Sequence, residues 1–141
     1  MLEYSNTLSV SEYDELRCAV KWQGLVEEQV QQLIDNSDFI ISCRDGEKIV
    51  GCARVFWDKG SVAYLADVMV KPEYQNECIG TKLVKECIAY IENQLKTGWC
   101  VSIVILSAKG KESFYEKFGF QERPNINLGA GMQLRVVNPQ A

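Results

Sequence analysis

Val70-Lys71-Pro72-Glu73-Tyr74-Gln75-Asn76-Glu77-Cys78-Ile79-Gly80-Thr81-Lys82 is the stretch whose reading decides the fold. An apolar run, Val62 to Val70, precedes it. A 3.6-residue apolar period follows at Ile79, Leu83, Val84, Cys87, Ile88, Ile91 and Leu95. The spacing predicts a strand, a tight loop and a helix over Ile79 to Leu95. Pro72 cannot donate to a ladder, so it helps to end the strand. Such a loop gathers backbone N–H groups at a helix N-terminus, where partial positive charge binds anions such as a pyrophosphate. Gly80 lets the backbone come close, because no Cβ intervenes. Asp67 to Val70 lies just before the loop and is the natural edge for pairing with an amide-bearing ligand.

Upstream, Leu2 to Tyr4 reads as a short strand. Ser9-Val10-Ser11-Glu12 fits a capping box at the start of a helix from about Val10 to Val20. Leu25 to Asn36 reads as a second helix, with Val26, Val30, Leu33 and Ile34 as its apolar stripe. Phe39 to Arg44 and Ile49 to Asp58 read as strands joined at Asp45-Gly46, a dipeptide suited to a turn with two positive φ values. Downstream, Val101 to Leu106 is almost wholly apolar, as expected of a strand covered on both faces. Lys111 to Phe118 reads as a short helix stopped by Gly119. Phe120 to Arg123 and Gln133 to Val137 read as closing strands. The order predicts an α/β or α+β domain over residues 1–141: one mixed sheet with about four helices on its faces.

The chain of 141 residues has a formal net charge of −4, six Cys and no His. An acidic balance argues against a broad nucleic-acid surface. Absent His and any Cys-x-x-Cys pair, neither a zinc site nor a His-assisted nucleophile is expected. Cys43, Cys52, Cys87 and Cys100 lie in apolar runs and are expected as buried, reduced thiols. No apolar run is long enough to span a membrane, and the start lacks signal-peptide character, so a cytoplasmic location is the default.

Gln75, Asn76, Glu77, Cys78, Ile79 and Gly80 resemble the Gln/Arg-x-x-Gly-x-Gly/Ala acyl-CoA signature of the GCN5-related N-acetyltransferases, with Cys78 where the first glycine stands. Phe114-Tyr115-Glu116-Lys117-Phe118-Gly119-Phe120 is similar to the family's Phe-Tyr-x-x-x-Gly-Phe segment. The resemblance implies transfer of acetyl from acetyl-CoA to a primary amine of a small molecule or peptide, without metal, and a homodimer as a family-level expectation. It implies that Val68, Met69, Val70 and residues Gln75, Asn76, Glu77, Cys78, Ile79, Gly80 and Thr81 hold the cofactor. The oxyanion donor would be the N–H of Val68 or Met69. Tyr115 would be the general acid that protonates the leaving thiolate; the bland alternative is an aromatic core residue. The family's strand glutamate falls at Ala66, which leaves Asp67 as the nearest carboxylate. In an apolar run Asp67 is either a base or a structural carboxylate.

Lys109 and Lys111 are expected to be solvated. Trp22, Trp57 and Tyr64 are candidates for an acceptor pocket or for the core. Two other readings stay open: a catalytically idle acyl-CoA-binding module, and a nucleotide-binding protein. The second lacks both Gly-x-G-x-x-Gly and Gly-Lys-Ser/Thr loops. Cys78 fits its place only with negative φ, or in a loop that accepts strain.

Overall fold

A computed structural model describes residues 1–139. Strands β1 (Leu2–Ser5), β2 (Phe39–Asp45), β3 (Lys48–Trp57), β4 (Val62–Val70) and β5 (Ser102–Ile105) form one sheet in that spatial order. The first four pair antiparallel, and β5 runs parallel to β4. The helices are α1 (Val10–Ala19), α2 (Glu27–Asp35), α3 (Ile79–Glu92) and α4 (Glu112–Glu116), with a 3-10 turn at Pro72–Tyr74. This is the mixed sheet with four helices that the sequence order predicts. The chain divides into two compact units, Met1–Ile105 and Leu106 onward.

Helix α1 starts as the capping box requires. Glu12 N–H donates to Ser9 Oγ at 3.1 Å, and Ser9 N–H donates to Glu12 Oε1 at 3.0 Å. The Glu12 carboxylate is also gripped by Arg44 of β2, whose Nε and Nη2 donate at 2.8 and 2.7 Å. That fork joins the first turn of α1 to the sheet and holds the Glu12 carboxyl below its usual range. Tyr13 and Leu16 of α1, Val30 of α2, Ile49 and Cys52 of β3 and Met69 of β4 are buried in one cluster.

Helix α3 packs on β2, β3 and β4 through Ile79, Leu83, Val84, Cys87 and Ile91, the apolar period read from the sequence. Gly51 sets how closely it comes. A methyl group at Gly51 would lie 3.0 Å from the Met69 carbonyl oxygen and 3.3 Å from side-chain carbons of Ile79 and Leu83. The first turn of α3 therefore rests directly on backbone, where any side chain would push it away.

Several expectations need correcting. No strand forms at 120–123 or 133–137; every described residue from 121 to 139 is exposed and outside helix and strand. Strand β5 is not covered on both faces, because Ser102 and Val104 are exposed. Cys100 is exposed, whereas Cys43, Cys52 and Cys87 are buried as expected. Val26 stands before α2 and is 70% exposed, so it is not part of the apolar stripe. The β2–β3 turn centres one residue later, on Gly46 and Glu47, with only Gly46 at positive φ.

Candidate active site at the strand β4 splay

Pairing between β4 and β5 stops at Leu65 opposite Ile105. Beyond Leu65, β4 is paired among the described residues on its β3 side alone. There the register shifts: Arg54 faces Ala66, but Cys52 faces Met69, so Asp67 and Val68 together oppose Ala53. This is a β-bulge, which bends the strand and re-aims its groups. Asp67 carries a positive φ of 51° at its centre. The result is a strand end, Ala66 to Val70, whose far edge has no ladder partner among the described residues.

The bulge turns the Asp67 carboxylate toward α1. Arg54 Nε donates to Asp67 Oδ2 at 2.5 Å, and Tyr13 Oη donates to the same oxygen at 2.8 Å. Arg17 Nη1 donates to Tyr13 Oη at 3.0 Å. Arg54 Nη1 reaches Ser37 Oγ at 3.3 Å, and its guanidinium lies over the Phe56 ring. Burial, and then the charge of Asp67, push the Tyr13 phenol up to about 12. The surroundings of Asp67 are therefore not the apolar ones its sequence neighbours suggest. Its Oδ2 is occupied, and Oδ1 accepts no hydrogen bond from a described residue.

The loop after β4 is fastened at both sides. Lys71 is buried, pairs with Glu15 and donates its N–H to the Val50 carbonyl at 2.9 Å. Tyr74 Oη donates to Asp45 at 2.6 Å. Gln75 Nε2 donates to the Val70 carbonyl at 3.1 Å, beside the open strand edge. Asn76 and Cys78 then take positive φ values of 69° and 65° on either side of Glu77. Alternation of left-handed and ordinary residues turns successive N–H groups to one side. Cys78 is the N-cap of α3, and no side chain caps that helix. The first-turn N–H groups of Ile79, Gly80 and Thr81 are thus left to a ligand or to water. Of the two options left open for Cys78, the structure takes strain.

Tyr115 belongs to the second compact unit. It is 8% exposed, and its ring meets Phe114 and Phe120 edge-on at 5.0 and 5.9 Å between centroids. Burial pushes its phenol up to about 12, so it keeps its proton through the neutral range. Gly119 follows with φ of 101°.

The three aromatic residues named from sequence separate. Trp57 is buried against Tyr90, with Lys59 over both rings, and serves the core. Trp22 is 37% exposed and lies under Arg17, next to the Tyr13–Asp67 pair. Tyr64 sits against Phe56, the ring that carries Arg54. The Tyr13 and Arg54 contacts to this carboxylate, and the Arg17 contact to Tyr13, carry no local sequence motif. A charged residue inside the otherwise apolar β3 run was the one available signal. Among the described residues no group of three His, Cys, Asp or Glu is placed to hold a metal ion. No described helix is long and apolar enough to cross a membrane.

Comparison with known proteins gives one answer. A family model described as an acetyltransferase (GNAT) domain matches residues 35–122, well over half of the chain. An uncharacterized N-acetyltransferase ycf52 from Pyropia yezoensis is 28% identical over 128 residues, covering 88% of this chain and 71% of that protein. A ycf52-like N-acetyltransferase from Prochlorococcus marinus is 28% identical, with 86% and 67% covered. Among solved structures, a probable acetyltransferase from meticillin-resistant Staphylococcus aureus superposes with a TM-score of 0.85 at 23% identity, covering 96% of this chain and all of that one. Glucosamine-6-phosphate N-acetyltransferase from Arabidopsis thaliana superposes at 0.65 with 17% identity, covering 97% and 98%.

Proposed function

The chain belongs to the GNAT acetyltransferase family, and from that premise we propose that it transfers acetyl from acetyl-CoA to a primary amine by direct attack in a ternary complex. One observation carries the reading: an open strand edge leads, through one short loop with a 3-10 turn, to a helix start that no side chain caps. The pantetheine arm offers amides that can pair with Val68, Met69 and Val70. The pyrophosphate offers oxygens to the N–H groups of Asn76, Glu77, Cys78, Ile79, Gly80 and Thr81; the Gln75 N–H, expected from sequence to join them, instead donates to the Pro72 carbonyl at 3.2 Å and closes the 3-10 turn.

The chemistry assigns each residue a task. The amine nitrogen attacks the thioester carbon, and negative charge moves to the carbonyl oxygen. A bulge N–H, Val68 or Met69, stabilises that oxyanion. Asp67 receives the acceptor on its unengaged Oδ1, orienting an ammonium and taking up its proton. The C–S bond breaks, and Tyr115 returns a proton to the thiolate. Motif and burial support that last role. A catalytically idle acyl-CoA-binding module is the second reading, favoured by the occupation of Asp67 Oδ2 by Arg54 and Tyr13.

CoA at about 100 times its Kd should stabilise the fold by about 2.7 kcal/mol, read as a rise in Tm. Thiol release from acetyl-CoA over a panel of amines then separates enzyme from module. Release with no amine in the panel would support the module, and no Tm change with CoA would sink both.

Cys78 gives a second expected outcome. A left-handed conformation costs a non-glycine residue about 1–2 kcal/mol. Cys78→Gly should therefore raise the unfolding free energy by about 1 kcal/mol in urea titration, after the greater freedom of glycine in the unfolded chain is offset. The backbone shape stays the same, so CoA affinity should change by less than about tenfold. A larger gain in affinity would show that the thiol side chain obstructs the nest.

A further inference from the structure

Arg17 differs from the other arginines of Met1–Ile105. Arg44 pairs with Glu12, and Arg54 pairs with Asp67. Arg17 pairs with no carboxylate of a described residue. Its Nε donates to the Gln23 carbonyl at 2.8 Å and its Nη1 to the Tyr13 hydroxyl at 3.0 Å, both neutral acceptors. Those bonds fix the direction of the guanidinium and leave its charge uncancelled. The guanidinium carbon lies 5.7 Å from the centroid of the Tyr13 ring and 5.6 Å from that of Trp22, so two aromatic faces hold a half-buried cation. Nη2 donates to no described residue. A cation kept from full hydration gains from an anionic partner, and the planar fork of arginine suits a carboxylate.

The same network holds one unused acceptor. Asp67 Oδ2 takes Arg54 and Tyr13, while Oδ1 takes no described donor. Tyr13 Oη is the single atom between Asp67 and Arg17, donating to the first at 2.8 Å and accepting from the second at 3.0 Å. A free carboxylate oxygen and free guanidinium N–H groups are thus held a short distance apart. The charges agree. Asp67 cancels Arg54, which leaves the charge of Arg17 over, in a chain whose formal net charge is −4. An amine must be neutral to attack, so a plain amine brings nothing to balance that charge. An amine that also carries a carboxylate does.

We propose that the acceptor is an α-amino acid, with its amine on Asp67 Oδ1 and its carboxylate on Arg17, and that Arg17 sets acceptor specificity. The short bridge through Tyr13 Oη fits a carboxylate one carbon from the amine. Lysine side chains and N-termini of proteins carry no such group and are disfavoured. The inference rests on the acetyl transfer proposed above. The C–N bond formed replaces the C–S bond broken, and the products are an N-acetyl amino acid and CoA.

The test measures thiol release from acetyl-CoA with leucine, phenylalanine and serine, each against its carboxamide and its decarboxylated amine. A neighbouring carboxylate makes an amine more basic, so the carboxamide is more often neutral in solution, and a preference for the free acid is a property of the site. At least one amino acid should exceed both of its analogues by about 10–100-fold in kcat/KM, the loss expected when a charged hydrogen bond goes unmade. Arg17→Gln should bring acid and carboxamide within about threefold of each other, through a higher KM for the acid. Arg17→Lys should restore part of the preference. The preference of the parent chain is read without any variant having to fold. Carboxamides or plain amines used as well as the free acids would overturn the proposal and leave the acetyltransferase reading standing. Full preference retained in Arg17→Gln would overturn it as well. Absence of thiol release with every amine would overturn both.

Discussion

Arg54→Met should lower the unfolding free energy by about 3–5 kcal/mol, the usual result of removing one partner from a buried ion pair. The pair qualifies on geometry and burial: the Arg54 and Asp67 side chains are 10% and 13% exposed and meet at 2.5 Å. Without the guanidinium, Asp67 keeps only Tyr13 on Oδ2, in a place where water cannot fully replace the charge. The control is the double variant Arg54→Met with Asp67→Leu. Removing both charges takes away the stranded carboxylate, so the double variant should be more stable than Arg54→Met alone. Urea unfolding followed by circular dichroism reads all three. A loss below about 1 kcal/mol for the single variant would place the pair with exposed salt bridges.

Tyr115→Phe should lower kcat for thiol release by about 10²–10⁴-fold while leaving the KM for acetyl-CoA near its original value. The phenyl ring keeps the edge-on contacts with Phe114 and Phe120, so the change removes the proton donor and little packing. Circular dichroism and Tm should stay close to the parent chain. The pH profile adds a check. Burial raises the phenol to about 12, so its loss of the proton lies beyond an ordinary assay range. An alkaline fall in kcat that is centred near 10 and abolished by Tyr115→Phe would mean that the phenol is not shifted. An unchanged kcat would return Tyr115 to the aromatic core.

The parts of the fold legible in sequence are those with local causes. Val62–Val70 and the start of α3 at Ile79 are read to the residue, because Pro72, Gly80 and the apolar period act within a few positions. The capping box at Ser9 and Glu12 is of the same kind. The Asp67 setting was not legible. Tyr13 and Arg54 lie 54 and 13 residues away and meet the carboxylate only once α1 rests on the sheet and the bulge has turned it. The bulge itself is a matter of register between β3 and β4, which no residue type announces. Residues 133–137 show the reverse case. Their alternation is strand-like, but a strand needs a partner, and periodicity does not supply one.

Asp67, Asn76 and Cys78, all left-handed, follow one another along twelve residues at the proposed cofactor edge. Their unfavourable torsions are imposed when the sheet and α3 assemble, before any ligand arrives. CoA would then meet a receptor already in its final shape. Association should proceed in a single kinetic phase, with a rate linear in ligand concentration and free of a slow isomerisation. The heat-capacity change on binding should match the apolar area of the ligand alone, with no added contribution from a segment that folds around it.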